Sequence, residues 1–282
     1  MDVSTFISHR RTLDTPDGAI AYTEWGTGPA AVFVHGLTAS GAQWREVIEP
    51  LSDATRCIAV DLPGHGGTPP RPDPSVTAMA QMVVDLCHGL ALDQIDLVGL
   101  DTGGAIAQLV AARHPELLRS LALTNCDTEG NFPPPGLAPV VELARQGMVA
   151  ATLPPLAADL VAARSSVLAE SYEHPELLTD QVLREYLVPL GADIERARYL
   201  ERILAAFDPA EMKGVNDRLG GLSVPTLVVW SRGQTVFGME WARRLSELIP
   251  GARGVTEVEG KLFYPEERPA GLVEALRHHW SR

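Results

Sequence analysis

The sequence is poor in cysteine and contains no apolar run long enough to cross a membrane. Its first residues include no apolar segment of the kind that a secretory signal requires. The three cysteines, Cys57, Cys87 and Cys126, are odd in number and lack the spacing of a metal-binding motif. We therefore expect a cytoplasmic protein that does not bind membranes and whose thiols are buried and reduced.

The sequence also has fewer positively charged than negatively charged residues. The chain has 23 Lys and Arg residues against 36 Asp and Glu residues, which gives a formal net charge of -13. An acidic surface repels nucleic acid and anionic membranes, so we expect neither as a partner. The sequence also lacks a phosphate-binding glycine loop and a cluster of metal-ligating side chains, so we expect no cofactor and no metal. A small molecule remains as the expected partner, and the oligomeric state stays open.

What the sequence does have is a regular alternation of apolar runs and helix-like stretches along 282 residues, 45% of them hydrophobic. The first two runs, residues 6–13 and 19–24, flank a Pro-Asp-Gly turn and predict a β-hairpin. Further buried strands are predicted at residues 30–34, 57–60, 95–100, 121–124, 224–230 and 254–258. Helical spacing between these runs predicts an α/β fold, in which a mostly parallel central sheet is flanked by helices.

The middle of the chain differs in composition from both ends. Residues 128–218 are rich in Ala, Leu and Glu, contain proline breaks and show no convincing strand. Three consecutive prolines at residues 133–135 end the preceding element, because proline continues neither a helix nor a central strand. We therefore expect a core in two parts, residues 1–127 and 219–282, with a helical insertion at residues 128–218 between them.

The most informative stretch is residues 95–108. An apolar run is followed by a turn that contains Gly99, Asp101 and Gly103, and a helix-forming segment begins at Gly104. A strand, a tight glycine-flanked turn and a helix form the setting of a nucleophile elbow, which holds its middle side chain exposed in a strained turn. The alternative is an ordinary strand-to-helix turn in which Asp101 caps the helix. Motifs elsewhere in the chain favour the elbow.

Two other loops resemble those of the α/β-hydrolase superfamily: His-Gly at residues 35–36 and Asp-Leu-Pro-Gly-His-Gly at residues 61–66. With Asp101 at the elbow, the chain is similar to the haloalkane dehalogenase and epoxide hydrolase branch. The resemblance implies an α/β-hydrolase fold with a helical cap, an Asp101 that attacks carbon, and architectural roles for the polar side chains of both loops. It also implies an oxyanion hole made by the main-chain N–H groups of Leu37 and Thr102.

The same resemblance implies a histidine that activates water and a carboxylate that orients this histidine. Gln234 stands where the carboxylate is expected, after the predicted strand that ends at Trp230. Leu262 stands where the histidine is expected, shortly before a Glu-Glu-Arg-Pro segment. The chain therefore carries a degenerate triad, since leucine cannot transfer a proton. Asp127 and Glu129 follow the preceding core strand and are possible second carboxylates.

Other departures from the family concern individual activities. Dehalogenases of this branch have a tryptophan after the aspartate, where this chain has Thr102. Epoxide hydrolases have a proline in the His-Gly loop, where this chain has Thr38. Epoxide hydrolases also use cap tyrosines as proton donors. The insertion offers three tyrosines that serve equally well as packing residues: Tyr172, Tyr186 and Tyr199.

Three functions remain open. The favoured one is an enzyme without hydrolytic activity, in which Asp101 is a general acid or base and the amides of the oxyanion hole stabilise an enolate or alkoxide. Cyclisation, elimination, isomerisation or lyase chemistry would fit. The second is a residual epoxide hydrolase or haloalkane dehalogenase. The third is a ligand-binding protein that has lost catalysis. In each case the composition of the insertion predicts a small apolar substrate or ligand.

Overall fold

A computed structural model describes residues 1–281 of the chain, without the side chain of Val167. The strands of its sheet are β1 Arg10–Thr15, β2 Gly18–Trp25, β3 Ala30–Val34, β4 Arg56–Val60, β5 Ile95–Asp101, β6 Leu118–Cys126, β7 Thr226–Ser231 and β8 Ala252–Val258. Their order across the sheet is β1-β2-β4-β3-β5-β6-β7-β8. Strand β2 runs antiparallel to β1 and β4, and the other neighbouring pairs are parallel. The prediction of a mostly parallel central sheet is confirmed.

The described residues also form helices that flank the sheet. The α-helices are α1 Val3–Ile7, α2 Arg45–Leu51, α3 Val76–Gly89, α4 Thr102–Arg113, α5 Ala138–Arg145, α6 Leu153–Ala158, α7 Leu160–Arg164, α8 Val167–Glu170, α9 Asp180–Gly191, α10 Ile194–Ala206, α11 Val215–Leu219, α12 Met239–Leu248, α13 Tyr264–Glu267 and α14 Pro269–Trp280. Helix α3 packs against α4, and α14 packs against α2 and β7. Within residues 1–281, no helix has the length and apolar character needed to cross a bilayer.

Two local predictions were wrong near element boundaries. The run at residues 6–13 was predicted as a strand, but its first two residues end helix α1. Asp2 caps this helix, since its carboxylate accepts a hydrogen bond of 2.9 Å from the N–H group of Thr5. The second difference is the start of α4, which is Thr102 and not Gly104. The turn after β5 is therefore tighter than the sequence predicts.

The helical insertion lies close to the loop after β3. Helices α5 to α10 fall within residues 128–218, and none of these residues forms a strand. Part of the insertion is lightly packed, because none of the residues of α6 is buried. A small apolar cluster, which we call the insertion cluster, consists of Ala144, Leu190, Leu200 and Leu204. Leu37, from the loop after β3, packs against this cluster. The insertion therefore reaches the carboxyl edge of the sheet.

Candidate active site

Asp101 lies in a strained turn between β5 and α4. Its backbone has φ 56° and ψ -129°. Such a conformation is sparsely populated by residues other than glycine and costs about 1–3 kcal/mol. The other residues of β5 are buried, whereas Asp101 keeps part of its surface exposed. The turn thus presents this carboxyl group at the edge of the sheet where the parallel strands end, which is where open α/β sheets bind ligands.

Two glycines allow the chain segments around Asp101 to approach closely. A Cβ atom at Gly36 would lie 2.4 Å from Asp101 Oδ2 and 2.7 Å from Asp101 Cβ. A Cβ atom at Gly104 would lie 2.2 Å from the Cβ atom of Cys126, on the neighbouring strand β6. Because side-chain atoms do not tolerate such distances, only glycine fits at either position. The local sequence therefore fixes how near the loop after β3 comes to Asp101.

The main-chain amide of Leu37 binds the carboxyl group of Asp101. Its N–H group donates a hydrogen bond of 2.9 Å to Asp101 Oδ2. Burial raises the pKa of Asp101 to about 7, and the N–H groups of Leu37 and Thr102 oppose this rise because they stabilise the carboxylate. The two predicted donors are thus directed at Asp101 itself. While this carboxyl group is in place, the Leu37 amide has no free N–H to offer a substrate oxyanion.

Asp127 is the second carboxyl group near the turn. It follows β6, whose last residue, Cys126, pairs with Asp101 across the sheet. Its N–H group lies 3.4 Å from the carbonyl oxygen of Asp101. Burial raises the pKa of Asp127 well above its usual range, and the charge of Asp101 raises it further, while a hydrogen bond with the Thr102 side chain lowers it. The surroundings of Asp127 therefore favour its protonated form over the carboxylate.

Glu129 does not join these two carboxyl groups. Its Oε1 accepts a hydrogen bond of 2.9 Å from the N–H group of Gly214, and its Oε2 accepts one of 2.7 Å from that of Asn216. Both oxygens thus serve the N-terminus of α11, where a negative charge is stabilised by the helix dipole. In the structure this side chain ties the loop after β6 to α11, and a role as second catalytic carboxylate stays a prediction.

Gln234 and Leu262, which we predicted at the positions of the family's carboxylate and histidine, lie in the loops after β7 and β8. Gln234 is half-buried, and its side-chain oxygen accepts a hydrogen bond of 2.7 Å from the N–H group of Phe237. Leu262 is buried, with 6% of its surface exposed. Its carbonyl oxygen accepts a hydrogen bond of 3.2 Å from the side chain of Asn125. Neither side chain offers acid–base chemistry.

Asn125 is a buried residue that the sequence-based interpretation missed. Its side chain accepts a hydrogen bond of 2.9 Å from the N–H group of Ser231 and donates one of 2.8 Å to the hydroxyl of the same residue. It also reaches the loop that contains Leu262. Its backbone has φ 36°, a left-handed conformation that asparagine tolerates better than most residues. The only sequence signal is a polar residue at the end of an apolar run.

The predicted proline position holds Thr38, and two of the three tyrosines of the insertion have hydrogen-bonded hydroxyl groups, whereas the buried hydroxyl of Tyr186 has no hydrogen-bond partner among the described residues. Thr38 has φ 62°, a conformation that proline cannot adopt because its ring holds φ near −65°. The Tyr172 hydroxyl donates a hydrogen bond of 2.5 Å to Glu266 Oε1. The Tyr199 hydroxyl accepts a hydrogen bond of 3.0 Å from the N–H group of Arg71. Both hydroxyl groups therefore hold the insertion to the core.

Glu266 and Arg45 form a buried ion pair beneath the insertion. Arg45 Nη1 lies 2.5 Å from Glu266 Oε2, and the two side chains are 9% and 2% exposed. Tyr186 of α9 is buried beside them, and the negative charge of Glu266 adds to burial in raising the pKa of its hydroxyl. A buried ion pair of this kind is costly to break, because removal of one partner leaves a charge without compensation.

The histidines of the two family-like loops have structural partners. His35 Nε2 accepts a hydrogen bond of 3.0 Å from the N–H group of Leu62, and burial lowers the pKa of His35 to about 4. His65 packs 5.3 Å from His35, between ring centroids. Asp61 accepts hydrogen bonds of 2.8 Å from the amides of Gly41 and Gly67. In the described chain, no group of three or more His, Cys, Asp or Glu side chains is placed to hold a metal ion.

The residues around Asp101 belong to a segment that matches known proteins. Residues 29–267 match the family model of the alpha/beta hydrolase fold. An uncharacterized protein of Mycobacterium tuberculosis is 36% identical over 101 residues, which make up 36% of this chain and 30% of that protein. The mouse sn-1-specific diacylglycerol lipase ABHD11 is 30% identical over 254 residues, which make up 89% of this chain and 80% of that protein.

Solved structures of this fold superimpose over nearly the whole chain. The epoxide hydrolase CorEH gives a TM-score of 0.80 at 19% sequence identity, with 96% of this chain and 98% of that chain covered. At this level of identity the likeness concerns the fold alone. Together with the family match and the similarity over 80% of the lipase, it leads to one conclusion. The chain belongs to the α/β-hydrolase fold family.

Proposed function

We propose that this protein is a proton-transfer enzyme in which Asp101 is the general base. One observation carries the proposal: the amide of Leu37 binds Asp101 Oδ2, while burial keeps the pKa of the carboxyl group at about 7. The Leu37 amide thereby holds one carboxylate oxygen in place, and we propose that the other oxygen takes the substrate proton. A general base is most effective when its pKa lies near the working pH.

The proposed chemistry needs neither a histidine that activates water nor a carboxylate that orients this histidine. Hydrolysis of an ester on Asp101 requires a base that activates water, and the position where the family has its histidine holds the buried Leu262. Removal of a proton from carbon requires only a positioned base and a group that accepts the developing negative charge. Elimination, isomerisation, cyclisation and lyase reactions all begin with this step.

The proposed substrate is a small, largely apolar molecule that binds between Asp101 and the insertion. Leu37 packs against the insertion cluster and binds Asp101 through its amide. The side chain of Leu37 therefore contacts an apolar surface, while its main-chain amide binds the carboxyl group of Asp101. We propose that residues 128–218 are a cap over a core made of residues 1–127 and 219–282, and that the cap supplies the apolar contacts.

The test is exchange of carbon-bound protons with solvent deuterium. The protein would be incubated in heavy water with a panel of small apolar ketones and esters, and deuterium incorporation would be followed by NMR. We expect incorporation with the wild type and none with Asp101→Asn, which keeps the size of the side chain but removes the base. Asp17→Asn, on an exposed turn, is the matched control. Equal incorporation by wild type and Asp101→Asn would refute the proposal.

A second candidate function rests on the same hydrogen bond. With Oδ2 held by the Leu37 amide, the other oxygen of Asp101 could attack an epoxide or alkyl halide and form an ester. Without a base for water, this ester would persist. Mass spectrometry of the intact protein would detect it as an adduct that forms with the wild type and not with Asp101→Ala. If a broad panel of epoxides and alkyl halides gives no adduct, the nucleophilic role is excluded for these compounds.

A further inference from the structure

Two aspartates lie at the ends of neighbouring parallel strands. Asp101 ends β5, and Asp127 directly follows Cys126, the residue of β6 that pairs with Asp101. Thr102 connects the two groups: its main-chain amide stabilises the carboxylate of Asp101, and its side chain forms a hydrogen bond with Asp127. Asp127 is 1% exposed, and its Oδ1 is buried without a hydrogen-bond partner. Strand pairing therefore places the two acids at the same edge of the sheet, and Thr102 affects the pKa of both.

No positive charge compensates this pair within the described residues. Neighbouring β6 contributes the thiol of Cys126, which burial keeps neutral by raising its pKa far above the usual range. Helix α4 contributes the Thr102 hydroxyl and the Gln108 amide, which donates a hydrogen bond of 2.6 Å to the carbonyl oxygen of Asp127. The loop after β3 contributes the Leu37 amide and His35, which is neutral because burial lowers its pKa to about 4. Such surroundings disfavour a charge on both carboxyl groups at once, since each negative charge raises the pKa of the other group.

We propose that Asp127 is the proton partner of Asp101: the two carboxyl groups hold one proton near neutral pH, and Asp127 keeps it until Asp101 becomes neutral. This role builds on the function proposed above for Asp101. It makes Asp127 a positioning residue, because it acts through the charge of Asp101 and the hydroxyl of Thr102. It also explains why a buried aspartate with a free oxygen is stable beside the turn, since a protonated acid is far easier to bury than a carboxylate.

The pair would move protons in a fixed order. Asp101 takes a proton from a C–H bond of the substrate, and the electron pair of that bond moves into the substrate. Asp101 is now neutral and no longer repels a charge on Asp127. Asp127 then releases its proton through the Thr102 hydroxyl toward the substrate oxygen that has become negative. One proton has entered the pair and one has left it, and transfer from Asp101 back to Asp127 restores the starting state.

The experiment is a pH titration of the full chain labelled with ¹³C at the aspartate carboxyl carbons. The variants Asp101→Asn and Asp127→Asn assign the two signals. In the wild type we expect Asp101 to titrate near pH 7, in line with its pKa of about 7, while Asp127 remains protonated there. Asp101→Asn should make Asp127 at least about tenfold more acidic, a downward change of about one pH unit, because the repelling charge is gone.

The variant Asp127→Asn tests the effect of Asp127 on the titration of Asp101. Asp127→Asn should leave the midpoint of Asp101 nearly unchanged, because asparagine is neutral like the protonated acid. If this variant does not fold, Thr102→Val replaces it: loss of the hydroxyl should raise the midpoint of Asp127 and leave Asp101 titrating. The inference is overturned if Asp127 is ionised at pH 7 in the wild type, or if its midpoint does not fall in Asp101→Asn.

The titration and the exchange experiment can fail separately. A linked pair in a protein that incorporates no deuterium into any substrate would refute the proposed function and leave the proton partnership standing. Deuterium incorporation by a protein whose two carboxyl groups titrate independently would refute the partnership alone. Each of these results therefore refutes one of the two proposals and leaves the other standing.

Discussion

Asp101→Asn should stabilise the folded protein at pH 8 and have much less effect at pH 4. Burial holds the pKa of Asp101 at about 7 in the folded chain, whereas its ordinary value is 3.8. Between these values the unfolded chain has lost this proton and the folded chain still binds it. The wild type therefore loses stability as the pH rises through this window. Asparagine accepts the same hydrogen bond from Leu37 but has no proton to lose.

The magnitude follows from the two pKa values. A separation of one pH unit corresponds to about 1.4 kcal/mol at 25 °C. A separation of about three units, from the ordinary value to about 7, gives about 4 kcal/mol as an upper limit. The effect is complete above pH 7 and absent below pH 4. Asp101 keeps some exposed surface, so water around the carboxylate reduces the gain.

The assay is urea unfolding of the wild type and Asp101→Asn at several values between pH 4 and pH 9. The quantity of interest is the difference in unfolding free energy between the two proteins, because the other ionisable groups largely cancel in it. Asp17→Asn serves as the control for the loss of a surface carboxylate, and its stability should follow the wild type at each pH. If the difference between Asp101→Asn and the wild type does not change with pH, the buried-carboxyl argument is refuted.

Three further predictions concern contacts around the site. Gly36→Ala should raise the pKa of Asp101 by about 1–2 units, measured by ¹³C NMR, because the new Cβ atom displaces the carboxylate from an amide hydrogen bond worth about 1.5–3 kcal/mol. Glu266→Gln should lower the unfolding free energy by about 3 kcal/mol in urea, because Arg45 keeps its charge without its main partner. Glu129→Ala should cost about 0.5–2 kcal/mol in the same assay, because α11 loses its cap.

Each of these predictions has a control variant or a result that would contradict it. Gly136→Ala is the control for Gly36→Ala, since a Cβ atom at Gly136 meets nothing within 4 Å. An unchanged Asp101 midpoint in Gly36→Ala would contradict the close approach. Full stability of Glu266→Gln would mean that another group compensates Arg45. For Glu129→Ala, a loss of carbon-proton exchange without a loss of stability would restore a catalytic role for this side chain.

Several elements could be read from the sequence because their cause is local. Strand β3 was predicted at residues 30–34 and is observed at Ala30–Val34, since five consecutive apolar residues are buried on both faces of a parallel sheet. The turn at Asp101 was also predictable, because glycines within three residues of it determine which backbone conformations fit. The first strand was partly mispredicted for a local reason as well: the Asp2 cap favours a helix over residues whose apolar character also suits a strand.

The partners of each side chain could only come from the tertiary structure. Arg45 and Glu266 are 221 residues apart in the chain, and Asn125 reaches Ser231 across 106 residues. No local pattern announces such pairs, because they depend on which strands become neighbours. The sequence by itself determined the fold class and placed Asp101 at a strand-to-helix turn. The order of the strands then brought Asp127 beside Asp101, because the ends of neighbouring strands lie together whatever their distance along the chain. The tertiary structure also decided that the Glu129 carboxylate binds the N-terminus of α11.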